Sequence, residues 1–350
     1  MPYPPCGTFN ETYEQDAAIF RTKAHWVWLV SVILFFLAFP IFADEYLLSI
    51  AILIYIYIIA AHGLNLLTGF AGLISIAHSA FMGVGAYCSA ILVSNLGFSF
   101  WLALPCSVIF AGLIGIILGA PSLRLKGFYL VMATLAAQFI INFVIMRWKV
   151  LTGGVYGMSV PSITLSNMEF DTNQSFYYIA FIVLILSTYV AKNLVRTQVG
   201  RAFVAIRDND LAAEVMGISL TKYKLLSFAV GCGFAGAAGS LWGHWVRMIS
   251  PEHFTLMGSV WFLGYIIVGG LGSILGPFFG VIFFTLTMEV LNSVFTGLSA
   301  SYPEAIGYIF ASREIIFGLI VVLFLIFEPR GLAHRWEIIK ASYRLYPFSY

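Results

Sequence analysis

The groups able to do chemistry in this chain are few, and most of them lie inside apolar stretches. His62, His78, His244 and Ser240 are the raw material of an intramembrane enzyme, yet their spacings match no nucleophile or metal-ligand signature. A haem held by His62 and His78 is the other chemistry they suggest, whereas a lone histidine in such a stretch is ordinarily satisfied by a backbone carbonyl. Cys6, Cys88, Cys106 and Cys232 are scattered and form no CxxC pair, which argues against a disulfide framework and against a metal site. None of the lysines, at 23, 126, 149, 192, 222, 224 and 340, stands in a GxxxxGK[ST] phosphate loop, so ATP-driven work would need a second protein. Glu289 is the one acid well inside an apolar window. An ion-coupled carrier usually needs more ionisable groups at that depth. The remaining polar groups there include Asn65, Gln138 and Asn142, of which the last two are four residues apart and share a helix face. Amides facing lipid are costly, so that face looks into the bundle, either bonding between helices or lining a transient aqueous path.

The elements that must position these groups follow from composition. A chain of 350 residues with 61% hydrophobic and 10% charged residues cannot hide its apolar surface in one water-soluble core. Lipid is its main solvent. A helix needs about 20 residues to cross a hydrocarbon layer of about 30 Å. Ten windows of that order occur, at 25–43, 46–67, 73–94, 100–120, 128–146, 176–195, 225–246, 256–275, 277–296 and 310–327, the last shortened to 315–327 by Arg313 and Glu314. The expected fold is an all-α polytopic membrane protein of about ten transmembrane helices. It divides into a head (1–24), a membrane domain (25–327) with one large loop (192–224), and a tail (328–350). The head leads with Pro, Cys and acidic residues and has no apolar core before a cleavage site, so no signal peptide is expected.

The net charge of +2 says little, but the placement of the charges sets orientation. From an inside start, the even loops and the tail collect 14 of the 18 Lys and Arg residues, leaving Arg147, Lys149, Arg247 and Arg313 opposite. Both termini are therefore expected in the cytoplasm, with a label at Asn167 reachable from outside. Two junctions, at 68–87 and 268–280, are rich in glycine, which permits either close helix packing or broken helices. The outer loop 148–175 carries Gly153, Gly154, Gly157 and Pro161 and could be a docking surface or a connecting lid.

The longest polar interval between apolar spans is GRAFVAIRDNDLAAEVMGISLTKYKLL (200–226). Asp208, Asn209 and Asp210 offer helix-start chemistry, Leu211 to Met216 favour helix, and Gly217 is a stop. That predicts a helix over 210–216 of about two turns, roughly 10 Å long, with Leu211 and Val215 on one face. Basic residues flank it, so a short capped helix is presented to the cytoplasm.

This segment resembles the coupling loop of ABC-importer permeases, whose pattern Ala-Ala-x3-Gly falls here on Ala212, Ala213 and Gly217, with Leu211 where many importers carry Glu. The likeness continues through GLNLLTGFAGLISIAHSAFMGVGAY (63–87), GFYLVMATLAAQ (127–138), GRAFVAIRDNDLAAEVMGIS (200–219), ISPEHF (249–254), VGGLGSILGP (268–277) and EPRGL (328–332). Together these resemble the permease subunits of branched-chain amino-acid importers, of the hydrophobic amino-acid uptake type, and in particular the second of their two paired permeases. The resemblance implies a bacterial inner-membrane protein with a second homologous permease, two cytoplasmic ATP-binding subunits and a periplasmic substrate-binding protein as partners. It implies no nucleic-acid partner and no cofactor of its own, ATP being bound by the partner subunits. Arg207, Asp208, Leu211, Ala212, Ala213 and Gly217 would couple to an ATPase subunit. Asn65, His78, Gln138, Asn142 and Glu289 are the candidates for a translocation path. Similar permeases serve urea and short amides, and a stand-alone channel or an ion-coupled carrier is the rival class.

Overall fold

A computed structural model describes residues 23–123, 125, 127–165, 168–170, 172–301 and 306–345. Asn167 and nearly all of the N-terminal head lie outside the described residues. The helices are α1 (Lys23–Phe42), α2 (Glu45–Leu64), α3 (His78–Ser94), α4 (Phe100–Gly119), α5 (Phe128–Arg147), α6 (Asn173–Arg196), α7 (Gln198–Asp208) and α8 (Asp210–Val215). They continue as α9 (Leu220–Val246), α10 (Leu256–Gly269), α11 (Gly276–Ser301), α12 (Ile306–Phe327) and α13 (Gly331–Leu345).

Each of the ten apolar windows overlaps a helix, but the helices are unequal. Among the described residues six are long and apolar enough to cross a membrane, and α12 with α13, bent by 45°, makes a seventh if the pair is one span. Val30–Phe42, His78–Ser94 and Leu256–Gly269 are shorter apolar helices. Glycine is the physical reason for two of these short lengths. After α2 the chain makes a π-helical turn (Asn65–Phe70) and then runs without helix to Ala77, through Gly72 at φ +71°. α10 stops at Gly269, and Gly270 (φ +117°) and Gly272 (φ +73°) carry the chain to α11. A hydropathy window runs through these breaks because it sees polarity and not backbone angle.

α2 and α9 form the centre. The apolar windows of these two spans are 61% and 72% buried, against 33% for those of α4, α5 and α6. The outer helices instead expose Ile109, Ile117, Phe139, Phe143 and Leu186, as lipid-facing surfaces do. α9 packs closely on α2, α3 and α4. Its glycines allow this: a Cβ at Gly236 would stand 2.6 Å from Ala111 Cβ and 2.8 Å from Ser107 O, and one at Gly239 would strike the Met82 carbonyl.

On the face expected outside, β1 (Met158–Ser159) pairs antiparallel with β4 (Met248–Ile249), and β2 (Ile163–Leu165) with β3 (Met168–Phe170). Val160 N donates to Arg247 O at 2.8 Å, so the outer loop is pinned to the chain that leaves α9. The expected tail is the helix α13, fastened at its start by an Arg335–Glu328 ion pair.

Candidate functional site

The short helix in the 200–226 segment starts and stops on the residues whose chemistry calls for it. Asn209 is the N-cap, its Oδ1 accepting from Ala212 N at 3.0 Å, and Gly217 takes φ +85° as Ile218 N closes back on Ala213 O at 3.0 Å. Its residues do not all face the same way. Leu211, Val215 and Met216 are 65%, 86% and 82% exposed, whereas Ala213 is only 4% exposed, α8 lying on α7 and the start of α9. Ala213 therefore supports the helix from behind.

Two ionic contacts root this unit. Lys224, itself buried, lies 3.7 Å from Asp210 Oδ2. Arg207 holds Asp208 Oδ1 through Nε and Nη2 at 3.0 and 2.9 Å, and its Nη1 donates to Gly69 O at 3.0 Å. Gly69 belongs to the π-helical turn. In the same turn Asn65, 1% exposed, donates from Nδ2 to Ser273 O at 2.8 Å and accepts at Oδ1 from Gly272 N at 2.9 Å. Asn65 thus clasps one Gly-rich junction to the other.

The amides on α5 have a different task. Ala77 stands at the N-cap of α3 and has no side-chain acceptor, so the first N–H groups of that helix need partners from elsewhere. Gln138 Oε1 accepts from Ala80 N at 3.2 Å and from Ser259 Oγ at 3.0 Å, while Ser259 Oγ accepts from Ser79 N at 2.9 Å. Gln138 Nε2 and Asn142 Nδ2 both donate to Phe254 O, at 2.9 and 3.1 Å, from the shared face that their spacing predicts. His78 Nε2 donates to Ala60 O at 2.7 Å.

A cavity of about 330 Å³ lies among α2, α3, α9, α10 and α11, with Tyr57, Trp261, Phe262, Tyr265 and Phe284 among its walls. Of the five path candidates Glu289 lines it, and Asn65, His78, Gln138 and Asn142 are not among its lining residues. Thr285 and Asn292 line it beside Glu289. Their four- and three-residue spacing around the one acid in an apolar window was the sequence signal for this face. Tyr46 Oη, at the first turn of α2, donates to Glu289 Oε1. His253 is at the rim, where partial burial holds its pKa below the usual value against the opposing pull of Glu252. Its Nδ1 accepts from Ser250 N at 3.2 Å, which requires that nitrogen unprotonated. Among the described residues no group of three His, Cys, Asp or Glu side chains could hold a metal.

Apolar helices around two central spans, a capped helix outside them and an aromatic, acid-bearing cavity within them make this a multi-pass membrane protein built as a transport permease. Residues 46–326 match the family described as branched-chain amino acid transport system / permease component, and the chain belongs to that family. It is 31% identical over 330 residues to the high-affinity branched-chain amino acid transport system permease protein LivM of Escherichia coli (strain K12), covering 87% of this chain and 74% of the relative. The LivH permease protein of Salmonella typhimurium is 24% identical over 305 residues, 81% of this chain and 93% of its own. The autoinducer 2 import system permease protein LsrC of Enterobacter sp. (strain 638) is 27% identical over 205 residues, 56% of this chain and 57% of its own. No solved structure matches the chain.

Proposed function

We propose that this chain is one of two paired permeases of an ABC importer, moving branched-chain or other hydrophobic amino acids across a bacterial inner membrane with ATP hydrolysed on separate subunits. The observation that carries the reading is α8, a capped helix with Leu211, Val215 and Met216 exposed in the middle of a polar, basic loop of a membrane chain. An amphipathic helix of this kind fits a groove on another protein. Leu211, Ala212, Val215 and Met216 form the contact with an ATP-binding subunit. Arg207, Asp208, Ala213 and Gly217 hold the helix in its pose. The names of the LivM and LivH relatives support the substrate class. In this reading the ten apolar helices make ten crossings, α3 and α10 being completed by the non-helical chain beside them, and both termini lie in the cytoplasm.

The test is copurification of the chain with its neighbouring subunits, followed by ATP hydrolysis measured with candidate binding proteins and ligands. A complex whose hydrolysis rises with a leucine-loaded binding protein is the expected result. Association without ATP hydrolysis would replace this reading with a channel or carrier.

A further inference from the structure

The cavity beside α11 holds a combination that helix packing alone does not explain. Glu289 is the sole carboxylate among its described lining residues, none of which is Lys or Arg, and it accepts from the hydroxyl of the exposed Tyr46. A carboxylate on the wall of a largely aromatic cavity is best met by a cation or a set of donors. One turn earlier on the same face, Thr285 is 9% exposed and its hydroxyl has no hydrogen-bond partner among the described residues. A buried hydroxyl without a protein partner is free to bond a ligand or a water in the cavity. The same cavity is lined by Tyr57, Trp261, Phe262 and Tyr265. Aromatic faces attract ammonium groups and also bury aliphatic side chains. The volume, about 330 Å³, falls within the ~300–1,000 Å³ of small-molecule sites.

We propose that this cavity is a substrate subsite of the permease, in which Glu289 takes the primary ammonium of a neutral amino acid, Thr285 gives its hydroxyl to the zwitterion, and the rings receive an apolar side chain. The assignment rests on the importer reading and adds to it the chemistry by which the permease itself selects its cargo. Urea and short amides carry no ammonium and would gain nothing from Glu289.

The experiment uses the assembled importer in proteoliposomes, with binding protein supplied outside and ATP inside, and follows radiolabelled leucine. Glu289→Gln is expected to lower maximal leucine uptake by about tenfold or more, the worth of one charged hydrogen bond, while the variant still assembles with its partner subunits. Glu289→Asp should restore part of that loss. Thr285→Val removes the unpartnered hydroxyl at constant shape, so it should fold as well as the wild type, or better, and yet transport less. A merely structural role predicts no transport loss for a stable Thr285→Val protein, and that result overturns the proposal. Wild-type uptake by Glu289→Gln overturns it too.

A lipid amine could supply the same ammonium chemistry. Vesicles of phosphatidylcholine alone hold no primary ammonium, so persistence of the Glu289→Gln defect there supports the substrate, and its disappearance assigns the site to phosphatidylethanolamine and overturns the proposal. A wild-type assembly that takes up no leucine removes the importer reading itself. Unaltered variants of an active assembly remove the subsite alone.

Discussion

Replacing Leu211 and Val215 together with serine distinguishes a docking helix from a solvated loop. The two lie four residues apart on α8 and are 65% and 86% exposed, so the free chain loses little burial and its stability should change by no more than about 0.5 kcal/mol. In a groove the balance differs. Full burial of a Leu or Val side chain contributes ~1.5–3 kcal/mol, and most of each side chain here is still available, which gives about 3 kcal/mol for the pair. At 1.4 kcal/mol per decade that weakens binding of the ATP-binding subunit by about a hundredfold. The assay is a titration of the solubilised permease against that subunit, with thermal unfolding of the permease measured in parallel. Undiminished affinity in a normally stable double variant would refute the docking argument. Ala213→Arg makes the contrast: at 4% exposure Ala213 leaves no room for the new side chain, and overpacking of about 1–3 kcal/mol falls on the permease itself. That variant should unfold at a lower temperature whether or not a partner is present.

Three further outcomes are expected. Asn65→Ala leaves Gly272 N and Ser273 O without their side-chain partners, at ~1–3 kcal/mol each, and should lower the unfolding temperature and speed amide exchange over residues 270–275. In a cysteine-depleted background, a cysteine at Tyr156 (89% exposed) should react with an impermeant reagent added outside intact cells, and cysteines at Met216 and Lys340 should not; outside labelling at Met216 reverses the orientation. His253 has a folded pKa below its ordinary value, so its contribution is present above about pH 6.5 and is lost as pH falls below that toward the lowered folded value. Protection of Ser250 N relative to its intrinsic exchange rate should therefore fall on acidification in the wild type and lose that dependence in His253→Asn, which keeps an acceptor that does not titrate.

What the sequence made legible was local. The cap at Asn209 and the stop at Gly217 depend on residues three or four apart, and the apolar windows depend on one property averaged along the chain. The work of Gln138 was not legible. It caps α3 from 58 residues away and reaches Phe254 O across 116, and nothing in either neighbourhood announces the pairing. The face of α8 was hidden for the same reason. Alanine pairs mark close approach, but only the seat of α8 on α7 and α9 decides that Ala213 approaches its own chain while Leu211 and Val215 face outward. Glu289 was conspicuous as a lone acid, whereas its cavity is made by the convergence of α2, α3, α9, α10 and α11.

The two regions are joined by few, specific links. Arg207, at the end of α7 beside the cap of α8, binds Gly69 O, and Asn65, one turn back from Gly69, binds the junction between α10 and α11. Both helices beyond that junction line the cavity, as do Leu53 and Tyr57 on α2. A π-helical turn has hydrogen bonding that differs from the α-helix on its N-terminal side, which makes Asn65–Phe70 the place where α2 can change its winding. The clasp at Asn65 then has a definite consequence for the importer reading. Because it ties the π turn to Gly272 and Ser273 by two opposed hydrogen bonds, a displacement received at Arg207 would in that reading reach the chain just before α11, the helix that carries Thr285 and Glu289.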